Sequence, residues 1–358
     1  MIPYGKQSIN ENDINSVTHT LKSPFLTTGP KAQEFESALA KRLGFRYVVV
    51  CSNGTAALHL ASMILLKQGD RVVTTPNSFL STSNSILYQK AKPVFIDIAK
   101  NGLIDLDLVE DELKKGGIEA LYLVSFSGLP FDSERLRHLK DRYKVKILLD
   151  NAHYFGEDDG VCDMATYSFH PVKHITTFEG GAIGTNDKSV YEKLLRLRNH
   201  GIIKDKTMYP WEYKMTELGY NYRLSDVACA LGLSQLERVD EFLTRRKEIA
   251  KLYHDHLKKV MPLYPYNDRS SYHLFVVRYP FKDLNEKADF FIKMREKGIG
   301  LQYHYIPINQ QPYYAKKGYF KEFENMQKYY LEAFSLPIYP SLKKDEQEYV
   351  MERLEELL

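Results

Sequence analysis

The sequence predicts an α/β protein with a mostly parallel central sheet flanked by helices, followed by a smaller α+β region. Short apolar strand segments alternate with helical segments from about residue 47 to residue 149, the βαβ pattern of a parallel sheet covered on both faces. From about Ser270 the pattern changes to separate strands and helices. With 358 residues available, we expect a large domain over residues 1–235 and a small C-terminal domain over residues 236–358.

The elements follow in order from periodicity and capping residues. A first helix is predicted from Asn10 to Leu21, and a second presents Phe35, Leu39 and Leu43 on one face. The large domain continues with strands at 47–50, 71–74, 94–97, 121–124, 147–149 and 181–185 and helices at 55–66, 81–89 and 133–143. Helical patterns at 224–258, strands at 272–277 and 300–305 and helices at 286–297 and 343–358 complete the prediction.

Composition excludes several classes of protein. Net charge is +3, with no basic run that would indicate nucleic acid binding. Three scattered cysteines do not form a disulfide framework or a zinc site, and no apolar run has membrane-spanning length. His170 and His174 have the spacing of a zinc helix, but Pro171 lies between them, so we expect no metal. We expect a cytoplasmic protein without a signal peptide.

A lysine lies in a charge-poor stretch before the strand at 181–185. Lys173 precedes a Glu179-Gly180-Gly181 turn. Because desolvation lowers the pKa of a lysine, its neutral amine becomes available as a nucleophile or base, as Schiff-base chemistry requires. An ordinary lysine in a turn is the alternative at this point.

An aspartate ends the apolar run at 147–149. Asp150 is placed where open α/β sheets bind their ligands, at the carboxyl end of a buried parallel strand. Pyridoxal 5′-phosphate (PLP) requires such an acid, which keeps the pyridine nitrogen protonated so that the ring acts as an electron sink. Alone, Asp150 would be a helix cap or turn residue; together with Lys173 it indicates a PLP enzyme.

A strand-to-helix turn at residues 51–57 is a candidate phosphate site. Gly54 lets the backbone approach an anion, and Thr55 adds a hydroxyl at the helix N-terminus. The turn lacks the Gly-Lys-Ser/Thr of a Walker loop, and an ordinary capped turn is the alternative. A phosphate site, a lysine and an acid are three parts of one PLP site.

These stretches resemble the DegT-like sugar aminotransferases, a branch of the fold-type I PLP enzymes. The resemblance extends over nearly the whole chain and rests on residues 26–30, 53–58, 74–79, 150–153, 168–181, 219–226 and 335–340. The chain departs from the family at Asn151, Tyr154 and Phe155, and its loop at 157–162 is shorter. Since these positions lie near the expected active site, they bear on the sugar and not on the cofactor.

The resemblance implies a role for each matching residue. Lys173 would form the Schiff base and shuttle the proton between the cofactor and the sugar carbon. The expected cofactor contacts are Gly54, Thr55 and Ser168 at the phosphate, Phe79 on the ring face, Asp150 at the ring nitrogen and His153 at the ring or its phenolic oxygen. Asn221 would reach the phosphate of the neighbouring subunit, which implies a homodimer with shared active sites. Thr27, His304 and Tyr305 are expected at the substrate, and core packing is the alternative for Phe79.

The implied reaction transfers an amino group from L-glutamate to C4 of a nucleotide-linked 4-keto-6-deoxy sugar. Residues 170–181 and 218–232 resemble the family branch of pseudaminic acid biosynthesis, whose substrate is UDP-2-acetamido-2,6-dideoxy-β-L-arabino-hex-4-ulose. Dehydratases of the family carry histidine in place of the lysine, so Lys173 favours transamination. The alternatives are another UDP- or dTDP-linked keto-deoxy sugar and a non-catalytic PLP-binding regulator.

Overall fold

The computed structural model describes residues 1–204 and 208–358. The helices are α1 (Glu11–Leu21), α2 (Pro30–Leu43), α3 (Gly54–Leu65), α4 (Leu80–Tyr88), α5 (Leu106–Lys114), α6 (Ser133–Tyr143), α7 (Lys188–Arg198), α8 (Asp226–Glu237), α9 (Val239–His256), α10 (Leu284–Glu296), α11 (Pro312–Lys316), α12 (Glu324–Glu332) and α13 (Lys344–Leu357). The strands are β1 (Tyr47–Cys51), β2 (Arg71–Thr74), β3 (Lys92–Phe95), β4 (Ala120–Val124), β5 (Lys146–Asp150), β6 (Met164–Ser168), β7 (Gly181–Thr185), β8 (Ile202–Ile203), β9 (Lys214–Met215), β10 (Met261–Pro262), β11 (Phe275–Arg278) and β12 (Ala333–Leu336).

Seven strands form the central sheet in the order β1-β7-β6-β5-β4-β2-β3. The run from β3 to β6 is parallel, whereas β7 is antiparallel to both of its neighbours. The prediction of a mostly parallel sheet is confirmed. Because parallel strands share one carboxyl edge, the ends of β5 and β6 place Asp150 and Ser168 at the same edge.

The strands bury both faces of the sheet. In β1, Val49 and Cys51 belong to one core with α3, α4 and α7, whereas Val48 and Val50 belong to a second core with α2, α5 and α6. Successive side chains of a strand point to opposite faces, so a strand covered on both sides must be apolar throughout. This requirement explains the continuous apolar runs of the sequence.

The C-terminal part contains an antiparallel sheet in the order β10-β11-β12, with α10 contacting both α12 and α13. The predicted strand at 300–305 is wrong. Gln302 forms only an isolated bridge to Ser335, and side chains hold the next residues: His304 Nδ1 lies 2.9 Å from Ser335 Oγ. Residues 302–305 instead line a cavity.

Other predicted elements differ by a few residues. The strand predicted at 94–97 is β3 at Lys92–Phe95, and that predicted at 272–277 is β11 at Phe275–Arg278. The predicted boundary between residues 235 and 236 falls near the end of α8 and stays a prediction. Among the described residues, no helix is both long and apolar enough to cross a membrane.

Candidate active site

One large cavity, of about 990 Å³, opens at the carboxyl edge of the central sheet. Every predicted site residue except Thr27 and Asn221 lines it. Those that do are Gly54, Thr55, Phe79, Asp150, His153, Ser168, Lys173, His304 and Tyr305. Residues that are far apart in the sequence, from Gly54 to Tyr305, therefore surround one cavity.

Asp150 is a buried carboxylate whose oxygens are oriented by two donors. Its Oδ2 accepts a hydrogen bond from Thr82 Oγ1 at 2.6 Å, and its Oδ1 accepts one from the backbone N–H of Ala152 at 3.1 Å. Burial raises the pKa of Asp150, and the hydrogen bonds from Thr82 and Ala152 and the charge of Lys173 oppose that rise. The carboxylate is therefore held in one orientation at the end of β5, where a cationic ring nitrogen would complete its environment.

Lys173 lies in the loop between β6 and β7. Burial lowers the pKa of its amine to about 8; the carboxylate of Asp150 opposes this effect and the charge of Arg246 adds to it. The Nζ atom lies 3.4 Å from Nε2 of His273. A lysine with this pKa has a substantial neutral fraction near neutral pH, as a nucleophile requires.

Phe169 closes the loop that carries Lys173. The backbone carbonyl of Phe169 accepts hydrogen bonds from the backbone N–H of Thr177 and from Thr176 Oγ1, both at 3.1 Å, and its N–H donates to Gly180 O at 2.8 Å. The Phe169 ring is fully buried. The loop therefore begins and ends at one anchored point, and Lys173 projects from it into the cavity.

The N-terminus of α3 forms a cradle beside Ser168. Asn53 caps this helix by accepting a hydrogen bond from the Ala56 N–H at 2.8 Å, which leaves the earlier amides facing the cavity. A Cβ atom at Gly54 would lie 3.0 Å from the Cβ atom of Ser168. Glycine at this position therefore keeps the space between the helix and β6 open, and the amides of the helix N-terminus make it suitable for an anion such as a phosphate.

His153 and Tyr305 form a hydrogen-bonded pair in the cavity wall. The backbone N–H of Ser127 donates to His153 Nδ1 at 3.4 Å, so Nε2 carries the proton and donates to the Tyr305 hydroxyl at 3.1 Å. Burial is the main cause that lowers the pKa of His153, and it raises the pKa of Tyr305. Both side chains are therefore neutral hydrogen-bonding groups at physiological pH.

One phenylalanine and one further histidine complete the cavity wall. Phe79 precedes α4 and is 58% exposed, so it belongs to the cavity and not to the core. Its ring centroid lies 6.1 Å from that of Tyr305. His304 is buried, and this burial, with a smaller effect of Lys173, lowers the pKa of His304 to about 3.

Thr27 and Asn221 are exposed and lie outside the cavity of their own chain. Asp226 connects the segments that carry them. Its carboxylate accepts hydrogen bonds from the N–H groups of Gly29 and Lys31, both at 2.9 Å, and its own N–H donates to Leu26 O at 3.0 Å. The segment at 26–31 and the segment at 221–226 therefore form one rigid surface.

Sequence reasoning missed several residues of the cavity and its surroundings. Thr82 orients Asp150, Tyr4 and His273 line the cavity, and Arg246 lies fully buried behind them. Only His273 had a signal in the sequence, because it is a histidine within the apolar run at 272–277. Thr82 had no such signal, because the start of its helix is mostly polar.

The comparisons with known proteins agree with this geometry. The model of the DegT/DnrJ/EryC1/StrS aminotransferase family matches residues 7–355. The chain belongs to this family. The prediction of an aminotransferase from a PLP-dependent family is thereby confirmed, as is the fold class.

Relatives of known name are similar over their full length. The UDP-4-amino-4,6-dideoxy-N-acetyl-beta-L-altrosamine transaminase of Campylobacter jejuni subsp. jejuni serotype O:23/36 (strain 81-176) is 36% identical, covering 100% of this chain and 98% of that protein. The spore coat polysaccharide biosynthesis protein SpsC of Bacillus subtilis (strain 168) is 32% identical, covering 100% and 97%.

Solved structures have the same fold. Helicobacter pylori PseC, an aminotransferase involved in the biosynthesis of pseudoaminic acid, superposes with a TM-score of 0.94 at 28% identity, covering 99% of this chain and 98% of that chain. The PLP-form of Spr1654 from Streptococcus pneumoniae superposes with a TM-score of 0.90 at 27% identity, covering 100% and 99%.

Proposed function

We propose that the protein transfers the amino group of L-glutamate to C4 of a nucleotide-linked 4-keto-6-deoxy sugar. The substrate we favour is UDP-2-acetamido-2,6-dideoxy-β-L-arabino-hex-4-ulose. The observation that carries the proposal is an amine with a pKa of about 8, Lys173, in the same cavity as the buried carboxylate of Asp150 and the cradle at Gly54. The choice of sugar rests on the similarity to the Campylobacter jejuni transaminase.

In this proposal, the described residues divide the binding of PLP among them. Asp150 would face the ring nitrogen, Phe79 would cover a ring face, and Gly54, Thr55 and Ser168 would bind the phosphate. His153 and its partner Tyr305 would contact the ring substituents. When bound, PLP supplies an electron sink that stabilises negative charge on the substrate carbon.

Lys173 moves the protons of the proposed reaction. Its amine removes a proton from the glutamate carbon and, in the second half of a ping-pong cycle, delivers one to C4 of the sugar. The pKa of about 8 suits both directions, because neither the amine nor the ammonium is rare near neutral pH. His304 and Tyr305 line the cavity, and in this proposal they would contact the sugar, Tyr305 through its hydroxyl.

We further infer a homodimer in which Asn221 and Thr27 complete the active site of the neighbouring subunit. Both residues are exposed and held on one surface by Asp226. Trp211, which lies close to Asn221 in sequence, is 75% exposed, and its ring centroid lies 5.3 Å from that of Tyr209. Aromatic side chains exposed in this way are typical of a surface that a partner covers.

Mixed variants test the shared site. Lys173→Ala and Asn221→Ala homodimers should each have little activity. Subunit exchange between them creates one intact site per heterodimer, so roughly a quarter of wild-type activity should return in an equimolar mixture. A mixture no more active than its components would contradict the shared site.

The compartment that fits this function is the cytoplasm. L-glutamate, PLP and nucleotide sugars are cytoplasmic metabolites, and all three cysteines are buried free thiols, as is common in reducing compartments. Detection of the protein in the soluble fraction of lysed cells, separate from periplasmic markers, is the corresponding measurement.

The decisive experiment follows the visible absorbance band of the bound cofactor. L-glutamate should shift this band in the wild type and do so far less readily in Lys173→Ala. A panel of UDP- and dTDP-linked keto-deoxy sugars, with products identified by mass spectrometry, then distinguishes the favoured sugar from the alternatives. Binding of PLP without amination of any keto sugar would support the non-catalytic regulator instead.

A further inference from the structure

The Lys173 amine has a polar neighbour from the C-terminal part of the chain. Its Nζ atom lies 3.4 Å from Nε2 of His273, and among the described residues no other side chain lies within hydrogen-bonding distance of it. Both side chains line the cavity. The two residues are 100 positions apart, so the contact depends on how residues 270–274 are placed against the sheet.

The backbone around His273 accepts hydrogen bonds from a buried arginine. Arg246 is fully buried, and its Nη1 atom donates to the carbonyls of Tyr272 and His273 at 3.2 Å and of Ile338 at 3.1 Å. Tyr272 has a φ of 44°, a left-handed conformation that is costly for an aromatic residue. The buried cation of Arg246 and the strained backbone of Tyr272 thus fix the backbone position of His273.

The same segment is bound to the large domain. Ser271 N–H donates to Gly128 O at 2.9 Å, and Ser271 Oγ donates to His153 O at 3.1 Å. Leu274 N–H donates to Ser127 O at 3.3 Å. His273 is therefore fixed relative to the sheet edge that carries Lys173.

The groups that face this pair determine which atoms carry protons. Asp150, Arg246 and three other histidines surround it, namely His153, His174 and His304. Burial, reinforced by Lys173, His153, His174 and Arg246, lowers the pKa of His273 well below its ordinary value, so the ring is a neutral imidazole. Because an ammonium can only donate, Nε2 of the neutral imidazole accepts from Lys173, and the ring proton lies on Nδ1, which has no hydrogen-bond partner among the described residues.

We propose that His273 is a positioning residue that holds the Lys173 amine by accepting a hydrogen bond at Nε2. The contact keeps Nζ beside His273 at the cavity wall whenever the lysine carries no covalent bond to a ligand. This inference deepens the proposed function and rests on it, because the amine must return to one place to move a proton in each half of the cycle.

The first test titrates Lys173 in the apoprotein and needs no catalysis. Acetic anhydride labels neutral amines, so the labelling rate of Lys173 against pH, read by peptide mass spectrometry, gives its apparent pKa. His273→Leu removes the acceptor while still excluding water. Because hydrogen bonds to charged groups are the strong ones, the apparent pKa of Lys173 should fall by about one unit.

His273→Gln is the matched control, because its amide oxygen can accept a hydrogen bond near the position of Nε2. The apparent pKa of Lys173 in this variant should stay within about 0.3 units of wild type, which is a difference of about 0.4 kcal/mol. An unchanged pKa in His273→Leu would overturn the proposal. So would a His273→Gln protein that behaves like His273→Leu.

The second test measures the glutamate half-reaction in single turnovers of the holoenzyme. His273→Leu should slow the absorbance change by about tenfold or more with little change in the glutamate concentration at half-saturation, and should enlarge the isotope effect of α-deuterated glutamate. His273→Gln should recover most of the rate. Equal rates in all three proteins would refute the positioning role. Failure of the wild type to aminate any keto sugar would refute the proposed function and leave the lysine titration as an independent result.

Discussion

Replacing Thr82 by valine should separate the orientation of Asp150 from its charge. The Thr82 hydroxyl donates to Asp150 Oδ2 at 2.6 Å inside the protein, and valine has almost the same shape without a donor. A hydrogen bond to a charged group contributes about 1.5–3 kcal/mol, and 1.4 kcal/mol corresponds to a tenfold change in an equilibrium constant. Since burial already raises the pKa of Asp150, the carboxylate loses its strongest local support just where a cationic ring nitrogen needs it.

PLP should therefore bind Thr82→Val at least about tenfold more weakly than wild type. Titration of the apoprotein with PLP, followed by absorbance, gives the dissociation constant. Thr82→Ser keeps the hydroxyl and should bind PLP like the wild type. A dissociation constant for Thr82→Val within about twofold of wild type would refute the reasoning, because the hydrogen bond would then contribute well under 1 kcal/mol.

Three further predictions concern the cradle, the lysine and the surface of Asp226. Gly54→Ala places a Cβ atom 3.0 Å from the Cβ atom of Ser168 and should weaken PLP binding by about tenfold or more, measured by equilibrium titration. The protein should stay folded, which circular dichroism checks. Labelling of Lys173 in the wild-type apoprotein should increase as the pH rises through about 8, not through the ordinary 10.5, because burial favours the neutral amine; quantitative peptide mapping measures this. Asp226→Ala removes the carboxylate that accepts hydrogen bonds from two backbone N–H groups at the start of α2. The free energy of unfolding, measured by urea denaturation, should therefore fall by about 2 kcal/mol. A smaller loss in Asp226→Asn would support this account.

The sheet was predictable because burial on both faces leaves a strong signal in sequence. Each parallel strand must be apolar along its whole length, and its carboxyl end then marks the ligand edge. Asp150 and Lys173 were detectable for a related reason. A charged residue inside an apolar stretch has a high cost of burial, so its presence indicates a use.

The remaining residues gave no comparable signal. Thr82 lies 68 residues from Asp150, and His273 lies 100 residues from Lys173, so only the assembled fold shows these contacts. The error at 300–305 has a physical reason as well. Gln302, Tyr303, His304 and Tyr305 all line the cavity, so polar and aromatic residues follow one another here because they form the site. The segment has an isolated bridge at Gln302 and no ladder of hydrogen bonds.

The loop closed by Phe169 has a consequence for how this scaffold changes its chemistry. Its hydrogen bonds come from the backbone and from two threonines at its far end, and none of the contacts that close it uses the Lys173 side chain. Exchange of residue 173 therefore alters the reactive group at the sheet edge while the architecture around it persists. The folding of this loop is thus separate from the chemistry of the side chain that it carries.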